Sequence, residues 1–361
     1  MAPGKHGPPV DASDRDLAAL LAAQLPNGAY PAAAGFSQYG PCWLRDGSFI
    51  AHATDLAGRH DSAARFHAWV ARTVAAQAGT VAELLARRRA GEPISEFDFL
   101  PTRYAVDGEW VKDGWPNFQL DGYGQWLWSL AGHLAATGQD ELPAHLAAGV
   151  DVVVDYLSEF WDEPCYDCWE EFRSQLHTAT LGSVAAGMGA IARWVPRAAP
   201  VGAAARELVL TGCVVDGRFV KHVGNPEADA SLTWLCTPFG LVADDDPVMR
   251  ATVARIEADL VVDGGTSRYR ADTYYGGGEW VILSASLAWH HARAGRPDRA
   301  RTYLDWVERQ RRPDGALPEQ VPRKDHHPWF LAYWTRHWGP SACPLVWSHA
   351  MTLCARLAVG G

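Results

Sequence analysis

The chain reads as an all-α protein in which paired helices form an inner ring inside an outer ring. Three observations lead there. Apolar residues recur at helical spacing along most of the 361 residues, while strand-like alternation is scarce. About a dozen such stretches can be counted by this pattern, which makes six pairs. Two of them, "EWVILSASLAW" and "PLVWSHAMTLCARLA", are apolar around most of their circumference, as expected of helices walled in by others.

The stretches begin near Asp14, Gly47, Asp61, Asp121, Glu141, Leu176, Ala203, Ala228, Asp246, Glu279, Asp298 and Pro340. The clearest is "DSAARFHAWVARTVAAQAGTVAELLARRRAGE", read as one run. Phe66, Val70, Val74, Val81, Leu84 and Leu85 keep to one face, and Gly91 with Pro93 ends it. Between the helices lie compact clusters of Gly, Pro, Trp and charged residues: "YGPCWLRDGS", "KDGWPNFQLDGYGQ", "CYDCWEEF", "SRYRADTYYGGGEW" and "GALPEQVPRKDHHPWF". Loops on a rigid scaffold are where chemistry is usually carried. With no low-complexity linker and no charge run, residues 13–361 are expected to form a single domain, and residues 1–12 a loose segment.

Composition narrows the function. An apolar share of 48% suffices for a large core, and a net charge of -10 disfavours nucleic acid and anionic membrane as partners. No run reaches the length of a membrane span, and the first residues lack the apolar core of a signal peptide, so a cytoplasmic location is expected. Seven scattered cysteines do not read as a disulfide framework. Cys165 and Cys168 form a CxxC, but zinc needs four ligands and there is no second CxxC or HxxxH, so no metal is expected. The 17 tryptophans outnumber the 11 Tyr and the 11 Phe, and many stand beside Gly, Pro, Arg or Asp where loops are expected. An indole face packs on the C–H face of a pyranose, so these rings fit a sugar site; those within helices read equally well as core.

Taken in order, the loop motifs resemble glycoside hydrolase family 15, the glucoamylase family. The likeness runs from "GAYPAAAGFSQYGPCWLRDGSFIAHATDLAG" to "PLVWSHAMTL", and its wording is nearest to short bacterial members that hydrolyse isomaltose. The resemblance implies an (α/α)6 barrel and an inverting exo-glucosidase that needs no cofactor and no partner protein. The β-sandwich and starch-binding module of other members have no counterpart in this sequence, so the resemblance does not extend to polymer binding.

Hydrolysis without a metal requires one carboxylic acid to protonate the leaving oxygen and one carboxylate to activate water from the opposite face, roughly 6.5 to 9.5 Å away when configuration is inverted. By the resemblance Glu170 is that acid, with Trp169 before it and Glu171 as a substrate-binding neighbour, and a tryptophan wall is expected to push its pKa upward. Glu319, behind Pro318, is the base, with Gln320 helping to seat the water. Arg45 and Asp46 match the pair that grips the terminal glucose, although Asp46 also stands where an ordinary N-cap would. Tyr39, Trp43, Trp115, Arg268 and Trp347 match the rest of the pocket wall, core packing being the alternative for each Trp.

The expected partner is thus a small α-glucoside, with an α-1,6 linkage favoured over α-1,4 or α,α-1,1. Two other classes stay open at this point: an α-glucoside phosphorylase on the same barrel, and a sugar-binding protein without catalysis. The presence of both acids speaks for hydrolysis.

Overall fold

The computed structural model describes residues 12–115, 117–323 and 326–360. The segment expected to be loose at residues 1–12 thus lies, but for Ala12, outside the described residues. Thirteen α-helices are present among the described residues. Five of them, with one 3₁₀ turn, close a ring in which each member packs on the next: α2 (Leu44–Leu56), α5 (Asp121–Ala136), α7 (Thr178–Ile191), the turn Ala230–Leu235, α10 (Val281–Arg293) and α13 (Val346–Gly360), which returns to α2. Around it lie α1 (Ala12–Ala23), α3 (His60–Ala75), α6 (Ala144–Phe160), α8 (Ala199–Gly212), α9 (Pro247–Leu260) and α11 (Pro297–Gln310). Chain order alternates between the rings, which is the six-hairpin (α/α)6 barrel.

Sequence explains which helix goes where. Inner α10 buries every residue from Val281 to His291, whereas outer α11 buries only Ala300, Tyr303, Leu304, Trp306 and Val307, a one-sided stripe. The inner helices α5 and α7 touch backbone to backbone. A Cβ on Gly187 would lie 2.0 Å from the carbonyl oxygen of Gly124, so only glycine fits there.

Three expectations need correction. The run Asp61–Glu92 is two helices, α3 and α4 (Ala78–Ala90); the chain bends at Ala76 and Gln77, and α4 then packs on α6. The helix expected near Ala228 is only the 3₁₀ turn Ala230–Leu235, capped by Asp229 and cut short by Pro238, which has no N–H to continue a helix. Residues read as the end of a loop instead open α12 (Pro328–Trp338), which starts at a proline in the first helical turn and buries none of its own residues.

Four two-residue ladders pin the loops at one end of the barrel or brace the outer turns. In β1 (Cys42–Trp43) and β2 (Arg103–Tyr104), Trp43 pairs with Arg103. The ladders β3 (Val214–Val215) with β4 (Arg218–Phe219) and β5 (Val261–Val262) with β6 (Gly265–Thr266) are outer-ring hairpins. In β7 (Glu279–Trp280) and β8 (Gln320–Val321), Trp280 pairs with Gln320, which fixes Glu319 one residue before the ladder.

Candidate active site

The inner helices all begin at the same barrel end. Arg45 and Asp46 lie in the first turn of α2, Asp121 opens α5, His177 precedes α7, Trp280 precedes α10, and Trp347 is in the first turn of α13. Helix N-termini carry partial positive charge, so converging them favours the carboxylates gathered there. Between them lies a cavity of about 270 Å³. Of the residues singled out from sequence, Tyr39, Trp43, Arg45, Asp46, Trp115, Trp169, Glu170, Glu171, Arg268, Glu319 and Trp347 line it.

The adjacent acids of "CYDCWEEF" point apart for a local reason. Asp167 Oδ1 accepts the backbone N–H of both Trp169 and Glu171, at 2.9 Å each, and the tight turn leaves Glu170 at φ +68°. A non-glycine residue in that region is strained, and such strain is common where a side chain must be aimed. Glu170 turns toward Trp43, whose Nε1 donates to Oε1 at 2.5 Å, and toward Trp115, whose Nε1 donates to Oε2. Glu171 turns the other way, accepting from Tyr269 Oη at 2.5 Å and facing Arg268 at 3.4 Å. Two tryptophans of the wall thus meet Glu170 through their N–H donors. Cys165 and Cys168 are both free, buried thiols.

Glu319 sits in a different environment. Its carboxyl is 4% exposed, Ser341 Oγ lies 3.4 Å from Oε2, and its backbone is tied to Ala342 and Val281. Burial pushes its pKa up to about 8, with the Asp46 charge adding to the rise and the Tyr39 hydroxyl and Arg268 opposing it. Tyr39 Oη is 3.0 Å from Tyr274 Oη, and both hydroxyls feel the Glu319 charge.

Arg45 bridges the acids. It donates to Gln119 at 2.8 Å, pairs with Asp121 at 3.3 Å and Asp46 at 3.5 Å, and stands 3.7 Å from Glu170. Burial opposes its charge, but Asp121, Asp46 and Glu170 together hold its pKa above the usual range. Asp46 is pushed up to about 7 by burial, against the pull of Arg45 and with help from Glu170 and Asp121. Its Oδ1 makes no hydrogen bond with the described residues, nor do the indole nitrogens of Trp280, Trp334, Trp338 and Trp347. These are acceptors and donors suited to the hydroxyls of a sugar. Arg268 is locked by Asp272 at 2.6 and 2.8 Å and stacks over Trp169, Tyr274 and Trp280.

One of the residues singled out from sequence stands outside the cavity wall. Gln320 does not line the cavity; its Nε2 donates to the carbonyl of Tyr274 at 2.8 Å and so braces the loop, while its Oε1 has no hydrogen-bond partner among the described residues. Sequence reasoning also missed several residues. Tyr274 and Trp280 sit in the quoted loop "SRYRADTYYGGGEW" but were not singled out, and Trp334 and Trp338 arrive on the unforeseen α12. Arg103 lies between Trp43 and Trp115, 5.0 Å from each ring, with both oxygens of Asp113 at 2.7 Å. It thereby fixes the two indoles that hold Glu170, and no motif marks it.

The sequence profile of glycosyl hydrolases family 15 matches residues 15–298. The chain is 46% identical over 335 residues to the isomaltose glucohydrolase of Kribbella flavida, covering 90% of this chain and 86% of that one. A glycosidase variant solved in complex with glucose superposes with a TM-score of 0.93 at 44% identity, over 97% of this chain and 96% of the other. A bacterial glucoamylase complexed with acarbose shares the fold at 18% identity and a TM-score of 0.73, over 96% of this chain and 55% of its own.

Proposed function

The chain belongs to glycosyl hydrolases family 15, and from that premise we propose that this glycoside hydrolase is an exo-acting, inverting α-glucosidase whose preferred substrate is isomaltose or a short isomalto-oligosaccharide. The observation that carries the reading is the meeting of two unlike carboxylates, Glu170 and Glu319, in one cavity walled by seven tryptophans. The 46% identity to an isomaltose glucohydrolase supports the choice of linkage.

In this reading Arg45 and Asp46 grip vicinal hydroxyls of the terminal glucose, as a guanidinium fork and a carboxylate can. Glu170 delivers a proton to the glycosidic oxygen, and Glu319 takes one from a water on the opposite face. The hydroxyls of Tyr39 and Tyr274 lie beside Glu319 and are suited to orient that water. The C1–O bond breaks as the water oxygen bonds to C1, so β-glucose leaves from an α-glucoside with no covalent intermediate. Residues 13–361 act as one catalytic unit. Among the described residues no helix is long and apolar enough to cross a membrane. The seven free thiols are in keeping with a cytoplasmic enzyme.

The test is glucose release from isomaltose, maltose and trehalose in plain buffer, with proton NMR of the first product. The reading requires isomaltose to give the highest kcat/KM and β-glucose to appear first. Early α-glucose sinks the inverting mechanism, and a higher kcat/KM on maltose or trehalose sinks the linkage. Dependence on phosphate, with glucose 1-phosphate formed, would make it a phosphorylase.

A further inference from the structure

The barrel end opposite the cavity holds a second cluster of ligating groups. Asp55 lies near the end of α2 and His133 near the end of α5, while His60 and His67 lie on α3. Asp55 is nine residues past Asp46 on the same helix, roughly 14 Å from the sugar site at 1.5 Å per residue. One ligand atom each from Asp55, His67 and His133 fall within 4.8 Å of one another. Asp55 Oδ1 is 3.0 Å from His133 Nδ1 and 2.8 Å from His60 Nδ1. The decisive feature is His67. It is 0% exposed, its ring centroid is 5.2 Å from that of His133, and neither of its nitrogens has a hydrogen-bond partner among the described residues. A buried imidazole with no partner on either nitrogen is costly, and such a group calls for a bound water or ion.

We propose that Asp55, His67 and His133 bind a divalent transition-metal ion of the zinc class. Two imidazole nitrogens and a carboxylate oxygen are a common donor set for such ions, with bonds of about 2.0 to 2.2 Å. Ligand atoms in a tetrahedral site stand roughly 3.3 Å apart by that geometry, so small side-chain rotations close the cluster on an ion, and a water completes it. His60, whose side chain is 42% exposed, hydrogen-bonds Asp55 from the outside and marks the route of entry. The ion clamps α2, α3 and α5 together far from the reacting carboxylates, so its role is structural.

The other cluster of this kind, Cys236, Asp244 and His290, is a useful contrast. There His290 Nε2 is 3.0 Å from Arg296 Nη2, Arg293 lies 3.3 Å from Asp244, and Cys236 is 3.2 Å from His290 Nδ1. Two guanidinium groups thus stand against its ligand atoms and repel a cation.

The experiment strips the full chain with a chelator and titrates it with Zn²⁺ or Co²⁺ alone. Expected are one equivalent per chain, visible Co²⁺ bands of a tetrahedral nitrogen and oxygen site, and a Tm rise of about 5 °C at a hundredfold excess over Kd. The kcat/KM on an α-glucoside should not change. His67→Leu should lose the equivalent, the bands and the Tm rise. Should His67→Leu fail to fold, Asp55→Asn, which keeps the shape, decides by weakening binding at least tenfold. Cys236→Ser should bind like the parent. Absence of uptake by the parent chain, or uptake that survives both substitutions, overturns the proposal.

Discussion

Trp43 and Trp115 both donate to Glu170, whereas Glu319 is buried with its pKa held up to about 8. That contrast makes the division of labour testable. Replacing either acid by Gln should lower turnover on isomaltose by roughly 10²- to 10⁴-fold. An α-glucosyl fluoride needs no protonation of its leaving group, so Glu170→Gln should recover most of its rate on that substrate and Glu319→Gln should not. The opposite pattern would exchange the two roles. Glu319 acts as the base only when ionised, while the acid must still hold its proton, so kcat/KM should be bell-shaped in pH with one limb set by Glu319; a profile whose shape is the same in Glu319→Gln as in the parent would refute this. Stability depends on the same proton. The folded state holds a proton on Glu319 that the unfolded chain releases near pH 4.5, so stability is fully present below that pH. It then falls by up to about 1.4 kcal/mol per pH unit until about 8. Thermal melts of Glu319→Gln should match the parent near pH 4 and exceed it at pH 8, and identical pH dependence in both would contradict the buried, proton-holding carboxyl.

At the scale of elements, α7 and α12 show opposite uses of helix surface. α7 meets α5 through Gly187 against Gly124, with no room for one carbon. Gly187→Ala should therefore destabilise by about 1 to 3 kcal/mol, as overpacking does, despite the better helix propensity of alanine. A Tm equal to or above the parent's would contradict the close approach. α12 buries none of its residues, yet puts Trp334 and Trp338 on the cavity, with Trp338 6.2 Å from Trp115 by ring centroids. Trp338→Ala should raise KM for isomaltose about tenfold, the weight of about 1.4 kcal/mol, with Tm nearly unchanged; an unchanged KM would mean that this ring does not touch the leaving sugar. Both helices also show where the sequence was legible. Helices such as α10 and α11 are readable because burial, total or one-sided, writes a periodic pattern. α12, "PWFLAYWTRHW", has no buried stripe to write one, and its composition looks like the aromatic loops around it. The sixth inner position was overread, because the apolar run after Ala228 signals burial but cannot reveal that a cap and Pro238 leave only a 3₁₀ turn.

At the scale of the whole molecule, the loops that sequence singled out converge because the inner helices start at one end, and that convergence is what a linear motif cannot display. Arg103, Tyr274 and Trp280 were illegible for this reason: each matters through a neighbour brought close by a two-residue ladder or a turn, not through its own spacing. The proposed function carries a prediction about chain length. The cavity is lined on the one hand by the charged pair Arg45 and Asp46 and on the other by the aromatic residues Trp115, Trp334 and Trp338. On the proposed reading, directional bonds from Arg45 and Asp46 fix one terminal glucose, and an α-1,6 link, with its extra rotatable bond, lets the next sugar swing toward the aromatic residues. Recognition should fade after that sugar, with α12 closing part of the wall through Trp334 and Trp338. The measure is kcat/KM along parallel α-1,6 and α-1,4 series from disaccharide to heptasaccharide. A maximum at the α-1,6 disaccharide or trisaccharide with a decline beyond it is expected. A steady climb along the α-1,4 series would mean additional subsites past α12 and a glucoamylase preference for polymers.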